Sequence, residues 1–415
     1  MIVRFYKYIS NLLSQLIFFY FVIRFFFSKE DKGSLFKKFG LSKVKRPNGK
    51  LVWINGVSIG EAKSGITVAE EILKNNSNTT ILFTTSTLTA LQVISGLKKN
   101  FIITYTPIDI NFIVKRFIKS WKPDLTIFME SEIWPNIISE HKNNNISFSI
   151  LNGRISKKSY IFWKKISFFS KEIFTNINLC FVQNQESKNY FESLGVSNVT
   201  LISNLKFINS SRKIDKNEYH SLKKILSKKL VITLFSSHED EELVLINCYK
   251  NLKKKFSNLI FIIIPRHIHK SNQIMLNLKN HSIDFALRSK DKNNINKKNF
   301  YIVDTYGELN LFFKLSHAAI VGGSFKKIGG HNPIEISNYD CVLFFGPEMF
   351  NFNQIKEIIL KKKAGFEVNN HEDLTKKIIL ILDNKKLKEQ TIINFKKLCK
   401  EEALKVKKVL KNFSM

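Results

Sequence analysis

The sequence predicts an α/β protein with two domains, each built around a parallel β-sheet. The chain has 415 residues, which is too long for one ordinary hydrophobic core and suits two domains. Hydrophobic residues make up 44% of the chain. Short apolar runs alternate with longer amphipathic stretches, and buried parallel strands have continuous apolar runs of this kind. The runs of strand length are Leu51–Val57, Thr80–Phe83, Phe101–Thr104, Leu125–Met129, Ile146–Leu151 and Leu179–Val182, followed by Leu230–Phe235, Leu259–Ile264, Ile283–Leu287, Tyr301–Val303, Ala318–Val321 and Val342–Phe345.

The two series of strands are separated by a polar stretch, residues 209–229, which contains no apolar run of strand length. We therefore expect this stretch to be the interdomain linker region. Two Rossmann-like domains of this kind would face each other across a cleft, and ligands of open α/β sheets bind at the carboxyl ends of the strands. The expected organisation is an N-terminal anchor at 1–27, Rossmann-like domains at 28–208 and 230–386, and a basic C-terminal helix at 387–415.

The first 27 residues predict a membrane anchor helix. No charged side chain lies between Lys7 and Arg24, so the apolar run is about as long as the shortest spanning helices. Because Arg24 interrupts the run, a helix lying in the membrane interface and a buried core helix remain alternatives. Positive charges predict that the domains lie on the cytoplasmic side, since Arg24, Lys29, Lys32, Lys37 and Lys38 outweigh Arg4 and Lys7.

The charge balance points to an anionic partner. Lysine and arginine number 66 against 34 acidic residues, a net charge of +32, which suits nucleic acid, an anionic membrane or a phosphorylated substrate. A general bias towards lysine accounts for part of the excess. Cysteines argue against a zinc site or a disulfide scaffold and fit a reducing compartment, because Cys180, Cys248, Cys341 and Cys399 lie far apart and form no CxxC pair.

The loop after the first predicted strand carries a candidate base. Ser58 is followed three residues later by Glu61, with Gly60 between them. This spacing is typical of a capping box at a helix start. The same position also directs the Glu61 carboxylate towards the expected cleft, where it could accept a proton from an attacking hydroxyl group. Both interpretations stay open on the sequence alone.

Two further groups follow strands of the first domain. Glu130 and Glu132 come directly after the fourth strand, beside Trp134. Glu132 suits ordinary first-turn charge at a helix start, whereas Glu130 lies closer to the strand end and is the stronger functional candidate. Lys206 closes the first domain next to the expected cleft, where an anionic ligand would need a cation.

The second domain contains a candidate phosphate site. Arg266 follows the strand that ends near Pro265, and a guanidinium suits bidentate capture of phosphate or carboxylate. The strongest local signal is residues 322–335, in which two glycine pairs permit close backbone approach to a ligand. Asn332, Pro333 and Glu335 then fit the N-cap, N1 and N3 positions of a helix, and helix N-termini bind phosphate without a metal.

These segments, in this order, resemble those of the Kdo (3-deoxy-D-manno-octulosonic acid) transferases of lipopolysaccharide synthesis, inverting glycosyltransferases with the GT-B architecture. The loop ending at Glu61 is similar to that family's Ser-Val-Gly-Glu, and residues 130–136 are similar to its Glu-Thr-Glu-Leu-Trp-Pro-Asn. The N-terminal anchor belongs to the pattern too, so the resemblance covers nearly the whole chain. The other matching segments are Pro265 to His267, Gly307–Glu308, Gly322 to Ser324, Gly329 to Glu335, and Gly346–Pro347 with Phe350 to Phe352.

The resemblance implies roles for these residues. It implies transfer of Kdo from CMP-Kdo to a lipid A precursor, lipid IVA, at the cytoplasmic side of the inner membrane, with no metal or other cofactor and no nucleic-acid partner. Glu61 would be the general base, and Glu130 and Lys206 would stabilise the transition state. The acceptor side would include Ser58, Gly60 and Glu132. The CMP of the donor would be held by Pro265, Arg266, Tyr306, Gly307, Glu308, Gly322, Gly323, Ser324, Gly330, His331, Asn332, Pro333, Ile334 and Glu335.

Several positions depart from the family's usual residues, and two other functions compete. Asn55 replaces a histidine, Ser203 a glycine and Ile208 an aspartate; His269–Lys270 and Glu348–Met349 also differ. None of these changes removes a proposed catalytic group. The competing hypotheses are a GT-B transferase that uses another nucleotide sugar and a basic, non-catalytic protein that binds membranes or nucleic acid. The second predicts clustered basic and aromatic residues, whereas the lysines here are spread along the chain.

Overall fold

The protein folds into two compact units in a computed structural model, which describes residues 2–27, 30, 33–42, 44–96, 101–130, 132–208, 214–292 and 295–413. The first unit comprises Met1–Ile208 together with Glu402–Met415, and the second comprises Asn209–Glu401. The last helix of the chain therefore begins in the second unit and ends in the first. The predicted α/β class with two parallel sheets is confirmed.

The first unit contains a seven-stranded parallel sheet in the order β3-β2-β1-β4-β5-β6-β7. Apolar side chains of the helices cover both faces of the sheet, which explains why its strands are continuous apolar runs. The elements are α1 (Ile2–Leu12), α2 (Ser14–Phe26), α3 (Ser34–Lys38), β1 (Leu51–Asn55), α4 (Ile59–Asn75), β2 (Thr80–Thr85), α5 (Leu88–Ile94), β3 (Phe101–Tyr105), α6 (Asn111–Trp121), β4 (Leu125–Met129), α7 (Pro135–Asn143), β5 (Ser147–Gly153), α8 (Lys157–Lys165), α9 (Ser167–Phe174), β6 (Leu179–Val182), α10 (Gln185–Leu194) and β7 (Val199–Leu201).

The second unit repeats this architecture with a seven-stranded parallel sheet in the order β10-β11-β9-β8-β12-β13-β14. Helices again cover both faces. The elements are α11 (Lys216–Ile225), β8 (Leu230–Ser237), α12 (Glu242–Lys255), β9 (Leu259–Pro265), α13 (Ser271–Asn280), β10 (Phe285–Leu287), β11 (Phe300–Ile302), α14 (Leu309–Leu315), β12 (Ala318–Val321), β13 (Val342–Phe345), α15 (Asn353–Lys361), β14 (Phe366–Glu367), α16 (His371–Asp383) and α17 (Lys385–Leu410).

Part of the region predicted as the interdomain linker, residues 209–229, forms a helix. Residues 209–213 lie outside the described residues, but most of the remainder forms α11, which is capped by Asp215. Leu222 and Leu226 lie one turn apart on this helix and are buried in the core of the second unit. Polar residues on the other faces hid this narrow apolar stripe. Two short edge strands, β7 and β14, were also missed because neither is a long apolar run.

The N-terminal segment forms two helices rather than one continuous helix. Among the described residues, no single helix has the length and apolar composition needed to cross a membrane; α1 and α2 meet the criterion only as a pair, bent by 48°. Helix α1 packs on the first unit, where Val3 is buried and the Tyr6 hydroxyl donates to Asp109 at 3.1 Å. No side chain of α2 is buried. The two helices therefore contact the protein very differently.

Two of the positive charges at and after the end of α2 are neutralised by an internal carboxylate. The buried Glu30 carboxylate pairs with Arg24 at 3.0 Å and with Lys38 at 2.6 Å. Lys29 and Lys32 lie outside the described residues. Two of the five cations counted for membrane orientation are therefore committed to an internal acidic partner, which weakens the charge argument made from the sequence.

Candidate active site

Each sheet has a central switch point from which successive strands of the chain extend to opposite sides, and Glu61, Glu130 and the Gly322 loop follow the strands at these two points. In the first sheet the chain proceeds outward from β1 to β3 on one side and from β4 to β7 on the other. Glu61 follows β1 and Glu130 follows β4. In the second sheet the reversal lies between β8 and β12, and the Gly322 loop follows β12. Ligands of open α/β sheets bind beside such switch points, so each unit carries one candidate half-site.

Glu61 caps the helix that carries it. The Ser58 hydroxyl accepts from the Glu61 backbone nitrogen at 3.2 Å, and the Glu61 carboxylate accepts from Val57 N and Ser58 Oγ, both at 2.9 Å. The capping box predicted from the sequence is therefore present. The carboxylate is only half-buried and interacts electrostatically with Glu130 and Glu132. Capping therefore fixes the Glu61 carboxylate within an acidic cluster that consists of Glu61, Glu130 and Glu132.

Glu130 lies directly after β4 in a left-handed backbone conformation, with φ of 59°. Burial and the neighbouring Glu61 raise the pKa of its carboxyl group, while Arg154, Lys206 and a hydrogen bond from Asn152 act in the opposite direction. Non-glycine residues seldom adopt a positive φ, and such conformations concentrate at functional sites. The loop therefore holds Glu130 among both acidic and basic neighbours.

Glu132 is the carboxyl group most affected by this cluster. Burial, Glu61 and Glu130 raise its pKa to about 7, although a hydrogen bond opposes the shift. Trp134 Nε1 donates that bond to Glu132 Oε2 at 2.6 Å. Neighbouring carboxyl groups disfavour each other's ionised form, so Glu132 holds a proton for part of the time near neutral pH. The sequence suggested an ordinary helix charge, whereas α7 begins only at Pro135.

Two cations face Glu130. Lys206 lies on the short turn Leu205–Phe207, whose start is capped by the Asn204 side chain at 3.0 Å. Arg154 follows β5 and is exposed, and both cations lower the pKa of Glu130. Arg154 and Asn152 were not predicted. The signal that could have found them is the polar Asn-Gly-Arg segment that begins inside the carboxyl end of β5, the strand next to β4.

The position where the family usually has a histidine is filled by a buried polar network. The Asn55 side-chain oxygen accepts from Thr84 Oγ1 at 2.9 Å and from Thr106 Oγ1 at 2.6 Å. Thr84 also accepts from Trp53 Nε1 at 2.7 Å. Asn55 is completely buried. The residue thus links the ends of β1, β2 and β3 below the half-site.

The glycine-rich loop of the second half-site is shaped mainly by its own backbone. A Cβ atom on Gly322 would lie 2.3 Å from the Ser236 carbonyl oxygen, and one on Gly330 would lie 2.2 Å from Met349 Sδ. Gly330 also has a φ of 71°. The glycines were predicted to permit close approach of a ligand, but internal packing already requires these two. Ser324, Pro333 and Ile334 are buried, and the Ser324 hydroxyl is bonded to Val321 and Gly346, so it is not available to a ligand.

A buried carboxylate, Glu241, ties this loop to the loop after β8. Its oxygens accept from the backbone nitrogens of His238 at 2.9 Å, Gly323 at 2.7 Å and Phe325 at 3.1 Å. Glu241 is 1% exposed. Glu241 was not predicted from the sequence, because it lies in an acidic run after a strand and such runs are usually exposed to solvent. Three backbone donors compensate the burial of its charge.

A histidine pair lies beside this clamp. His238 Nε2 and His331 Nε2 are 2.8 Å apart, and the two rings are coplanar within 2° at a centroid distance of 5.1 Å. Burial, with His238, Arg266 and His267 nearby, lowers the pKa of His331 to about 4. Burial also lowers the pKa of His238. His331 was predicted as a site residue, whereas its partner His238 was not.

The remaining predicted donor residues divide into accessible and committed groups. Arg266 is exposed, and its backbone nitrogen donates to Ser237 O at 2.9 Å. Tyr306 is 84% exposed, and Gly307 has a φ of 86°. Glu308, by contrast, accepts bidentate hydrogen bonds from the buried Arg288 at 2.6–3.1 Å. Its carboxylate is therefore engaged in an internal ion pair in this structure, and its predicted contact with a nucleotide stays a prediction.

The expected helix at Asn332 is only one short turn. Pro333–Ile336 forms a four-residue 3₁₀ turn, capped by Asn332 Oδ1, which accepts from Ile334 N at 3.2 Å. The capping prediction is confirmed, but a single turn has a much smaller dipole than an α-helix. Glu335 is half-buried within this turn. Most of the attraction that this half-site can exert on an anion therefore comes from cationic side chains.

Metal ligands are not grouped in the described part of the chain: no cluster of three or more His, Cys, Asp or Glu side chains there could hold an ion.

Comparison with known proteins identifies the fold and family. Residues 33–209 match the family model described as 3-deoxy-D-manno-octulosonic-acid transferase. A 3-deoxy-D-manno-octulosonic acid transferase of Rickettsia bellii is 32% identical over 92% of this chain and 91% of its own length. A transferase of the same name from Haemophilus influenzae is 29% identical over 83% of this chain and 81% of its own. A glycosyltransferase structure from Rickettsia africae covers 88% of this chain and 99% of that chain, with a TM-score of 0.57 at 15% identity.

The two parallel-sheet units have a fold of the GT-B type. Within that type, the chain belongs to the family of 3-deoxy-D-manno-octulosonic acid transferases of lipopolysaccharide biosynthesis.

Proposed function

We propose that this protein transfers Kdo from CMP-Kdo to the lipid A precursor lipid IVA, with inversion at the anomeric carbon and without a metal ion. The observation that carries the proposal is the cluster of Glu61, Glu130 and Glu132 beside Lys206 at the switch point of the first sheet. A sugar hydroxyl is far less acidic than a carboxylic acid, so its proton must leave as the new C–O bond forms. A carboxylate held at a fixed position can accept that proton.

Each residue has a distinct task in the proposed reaction. Glu61 accepts the proton of the acceptor hydroxyl. Glu130 stabilises positive charge that develops at the anomeric carbon, and Lys206 offsets the acidic cluster. In the second unit, Arg266 binds the phosphate of CMP through charge-assisted hydrogen bonds. Breakage of the C–O bond leaves its electron pair on a phosphate oxygen, where a nearby cation is most effective.

We also propose that α2 attaches the protein to the cytoplasmic face of the inner membrane. Support comes from its exposed side chains, since Leu16, Phe19, Ile23 and Phe26 are 55–79% exposed. An exposed helix with large apolar side chains gains free energy when these side chains leave water for the membrane interface. The lipid acceptor lies in the same plane, and the net charge of +32 favours an anionic surface.

Direct transfer tests the proposal. The full chain would be incubated with CMP-Kdo and lipid IVA in mixed micelles, and the lipid analysed by mass spectrometry for one or more added Kdo residues. UDP-glucose and UDP-N-acetylglucosamine serve as competing donors, and Glu61→Gln serves as the matched inactive protein. The anomeric configuration of the product is then read by NMR.

Each outcome has a defined meaning. Kdo addition from CMP-Kdo alone, lost in Glu61→Gln, supports the proposed reaction. Transfer from a UDP-sugar but not from CMP-Kdo contradicts the donor, and retention of configuration contradicts the inverting mechanism. Absence of transfer with every donor, by a folded protein that binds vesicles or nucleic acid, contradicts catalysis itself.

A further inference from the structure

The histidine pair in the second unit stands at a built site that the proposed reaction does not yet use. His238 follows β8 and His331 lies in the loop after β12, the two strands that flank the switch point of the second sheet. Arg266 follows β9, the other neighbour of β8. Three adjacent strands therefore bring two imidazoles and a guanidinium to one sheet edge. This is where ligands of such sheets bind.

The backbone around His238 has an irregular conformation that positions its side chain next to His331. Ser236 has a φ of 54° and Asp240 a φ of 63°, and the pairing of β8 with β9 shifts register between Phe235 and Ser237. Such irregularities re-aim the side chains that follow them. The Glu241 carboxylate then fixes the backbone of His238 and Gly323. Because Glu241 bonds to the backbone of His238, its contact does not depend on the imidazole.

The 2.8 Å contact between two Nε2 atoms requires one shared proton. One imidazole donates through Nε2–H while the other accepts with an unprotonated Nε2. The pair is uncharged when Nδ1 of the donating ring is unprotonated, and it has one positive charge when that nitrogen takes up a proton. The bonded pair can therefore hold one added proton without losing the Nε2–H···Nε2 bond.

The charges around the pair favour the uncharged state in this structure. His238 faces Arg266 and His267 after β9 and Lys326 in the glycine-rich loop, with Glu241 as the nearby acidic group. His331 faces Arg266 and His267 as well as His238. Lys326 is itself paired with Asp240 at 2.9 Å. An anionic phosphate beside Arg266 would reverse the balance, because it would attract the proton that these cations repel.

We propose that the His238–His331 pair takes up one proton when the phosphate of the nucleotide binds beside Arg266, so that donor binding and protonation of the pair are coupled. The inference rests on the proposed CMP-Kdo donor and extends it. The proton is taken up on Nδ1 of the donating imidazole, which becomes an imidazolium with a further N–H donor while the Nε2–H···Nε2 bond is kept. It also adds a positive charge at the place where the phosphate gains one negative charge as the sugar departs. His238 is then a phosphate-binding residue of the donor half-site.

The coupling predicts a measurable pH dependence. If one proton is taken up, the affinity for a phosphate whose own charge is constant rises by about tenfold for each unit of falling pH in the range where the free pair is uncharged. Cytidine 5′-(methyl phosphate) is the suitable probe, since it is a diester and has no second ionisation near neutral pH, whereas CMP does.

Calorimetry of the full chain tests the proposal. Binding of the diester at pH 7.5 would be measured in buffers of different ionisation enthalpy, which gives the number of protons taken up, and repeated between pH 6 and pH 8. The wild-type protein is expected to take up about one proton. His238→Gln is expected to bind with little uptake and a flat pH profile, while its thermal unfolding stays close to that of the wild type because Glu241 still holds the backbone. His281→Gln is the matched control, since His281 is exposed on the surface after α13.

The outcomes separate this inference from the donor assignment. Diester binding without proton uptake in the wild type, or uptake that persists in both His238→Gln and His331→Gln, overturns the coupling and leaves the donor assignment standing. Failure of both CMP and the diester to bind a folded protein overturns the donor assignment as well. Loss of uptake in the two pair variants but not in His281→Gln supports the coupling.

Discussion

The Asn152 side chain lies beside the Glu130 carboxylate and lowers its pKa, and both residues adopt left-handed backbone conformations, with φ of 64° and 59°. They lie side by side at the ends of β5 and β4, where Met129 pairs with Leu151. Glu130 N also donates to Leu151 O at 2.9 Å. Two adjacent strand ends therefore have an uncommon backbone conformation, and this conformation orients the Glu130 carboxylate. Asparagine tolerates this backbone better than most residues.

Replacing Asn152 by aspartate tests this relationship. Asn152→Asp keeps the size and backbone tolerance of the side chain but places a second negative charge against Glu130, which raises the pKa of Glu130 further. We expect kcat to fall by roughly tenfold to a hundredfold and the acidic limb of the pH–rate profile to move to higher pH. Asn217→Asp, on the exposed start of α11, is the charge-matched control. An unchanged pH profile in Asn152→Asp would show that Asn152 does not orient a functional carboxylate.

The capping role of Glu61 can be separated from its proposed role as a base. Glu61→Gln can accept from Val57 N through its amide oxygen and donate its amide N–H to Ser58 Oγ, so we expect an almost unchanged melting temperature and CMP affinity, while kcat falls by several orders of magnitude. Ser58→Ala removes one capping bond but leaves the carboxylate, and should lower stability by about 1 kcal/mol with a far smaller effect on kcat. Near-normal turnover of Glu61→Gln would exclude Glu61 as the base.

The two N-terminal helices should respond differently to change. Removal of residues 1–27 takes away contacts of α1 with the first unit: Val3 lies in the core, Tyr6 bonds to Asp109, and Ser10 Oγ accepts from Asn136 Nδ2 at 3.2 Å. We therefore expect the deletion to lower the melting temperature. The triple variant Leu16→Ser, Phe19→Ser, Phe26→Ser changes exposed positions of α2 and should reduce flotation with anionic vesicles without lowering the melting temperature. Equal vesicle binding by the triple variant and wild type would contradict attachment through α2.

The strands were predictable because each is a continuous apolar run. Both faces of each sheet are covered by helices, so successive residues such as Val52, Trp53 and Ile54 are all buried. Elements with little apolar sequence of their own were harder. Helix α11 turns only a narrow stripe to the core, and β14 has two residues.

The positions of Glu61 and Glu130 next to strand ends were predictable, because each follows an apolar run in the sequence. Contacts between distant parts of the chain were not: Glu241 and Gly323 are separated by 82 positions. Glu308 is a second example. Its position follows the family's motif, but only the structure reveals that Arg288 occupies its carboxylate.

Buried neutral histidines should make the protein less stable in acid. Burial lowers the pKa of His141 and of His317 to about 4, against roughly 6.5 in an unfolded chain. The unfolded state therefore binds more protons between about pH 4 and 6.5, and stability falls as pH falls through that window. Asp109 acts with the opposite sign, because burial raises its pKa to about 6 and the folded state is the one that gains the proton.

The contribution of His141 can be isolated by a variant. His141→Gln can retain bonds to Ile137 O and Thr126 Oγ1, the present partners at 2.7 and 2.8 Å. We expect its unfolding free energy, measured by denaturant titration, to depend less steeply on pH, by up to about 1.4 kcal/mol per pH unit. His281→Gln should keep the wild-type slope. Identical slopes for all three proteins would mean that His141 is not neutral in the folded state.

Arg266 and Glu308 should separate donor binding from stability in the second unit. Arg266 is exposed, so Arg266→Ala should leave the melting temperature nearly unchanged and weaken CMP binding roughly tenfold to a hundredfold, the equivalent of about 1.5–3 kcal/mol for a hydrogen bond to a charged group.

Burial alone would raise the pKa of Glu308, but hydrogen bonds from Arg288 and Thr305 lower it. Glu308→Gln removes the charge opposite Arg288, which is 2% exposed, although Glu218 still contacts the guanidinium at 2.6 Å. We expect that variant to lose about 2 kcal/mol of stability with little change in CMP affinity. Strong loss of CMP binding by Glu308→Gln at an unchanged melting temperature would return Glu308 to the direct nucleotide contacts and make the Arg288 pair a feature of the unliganded protein.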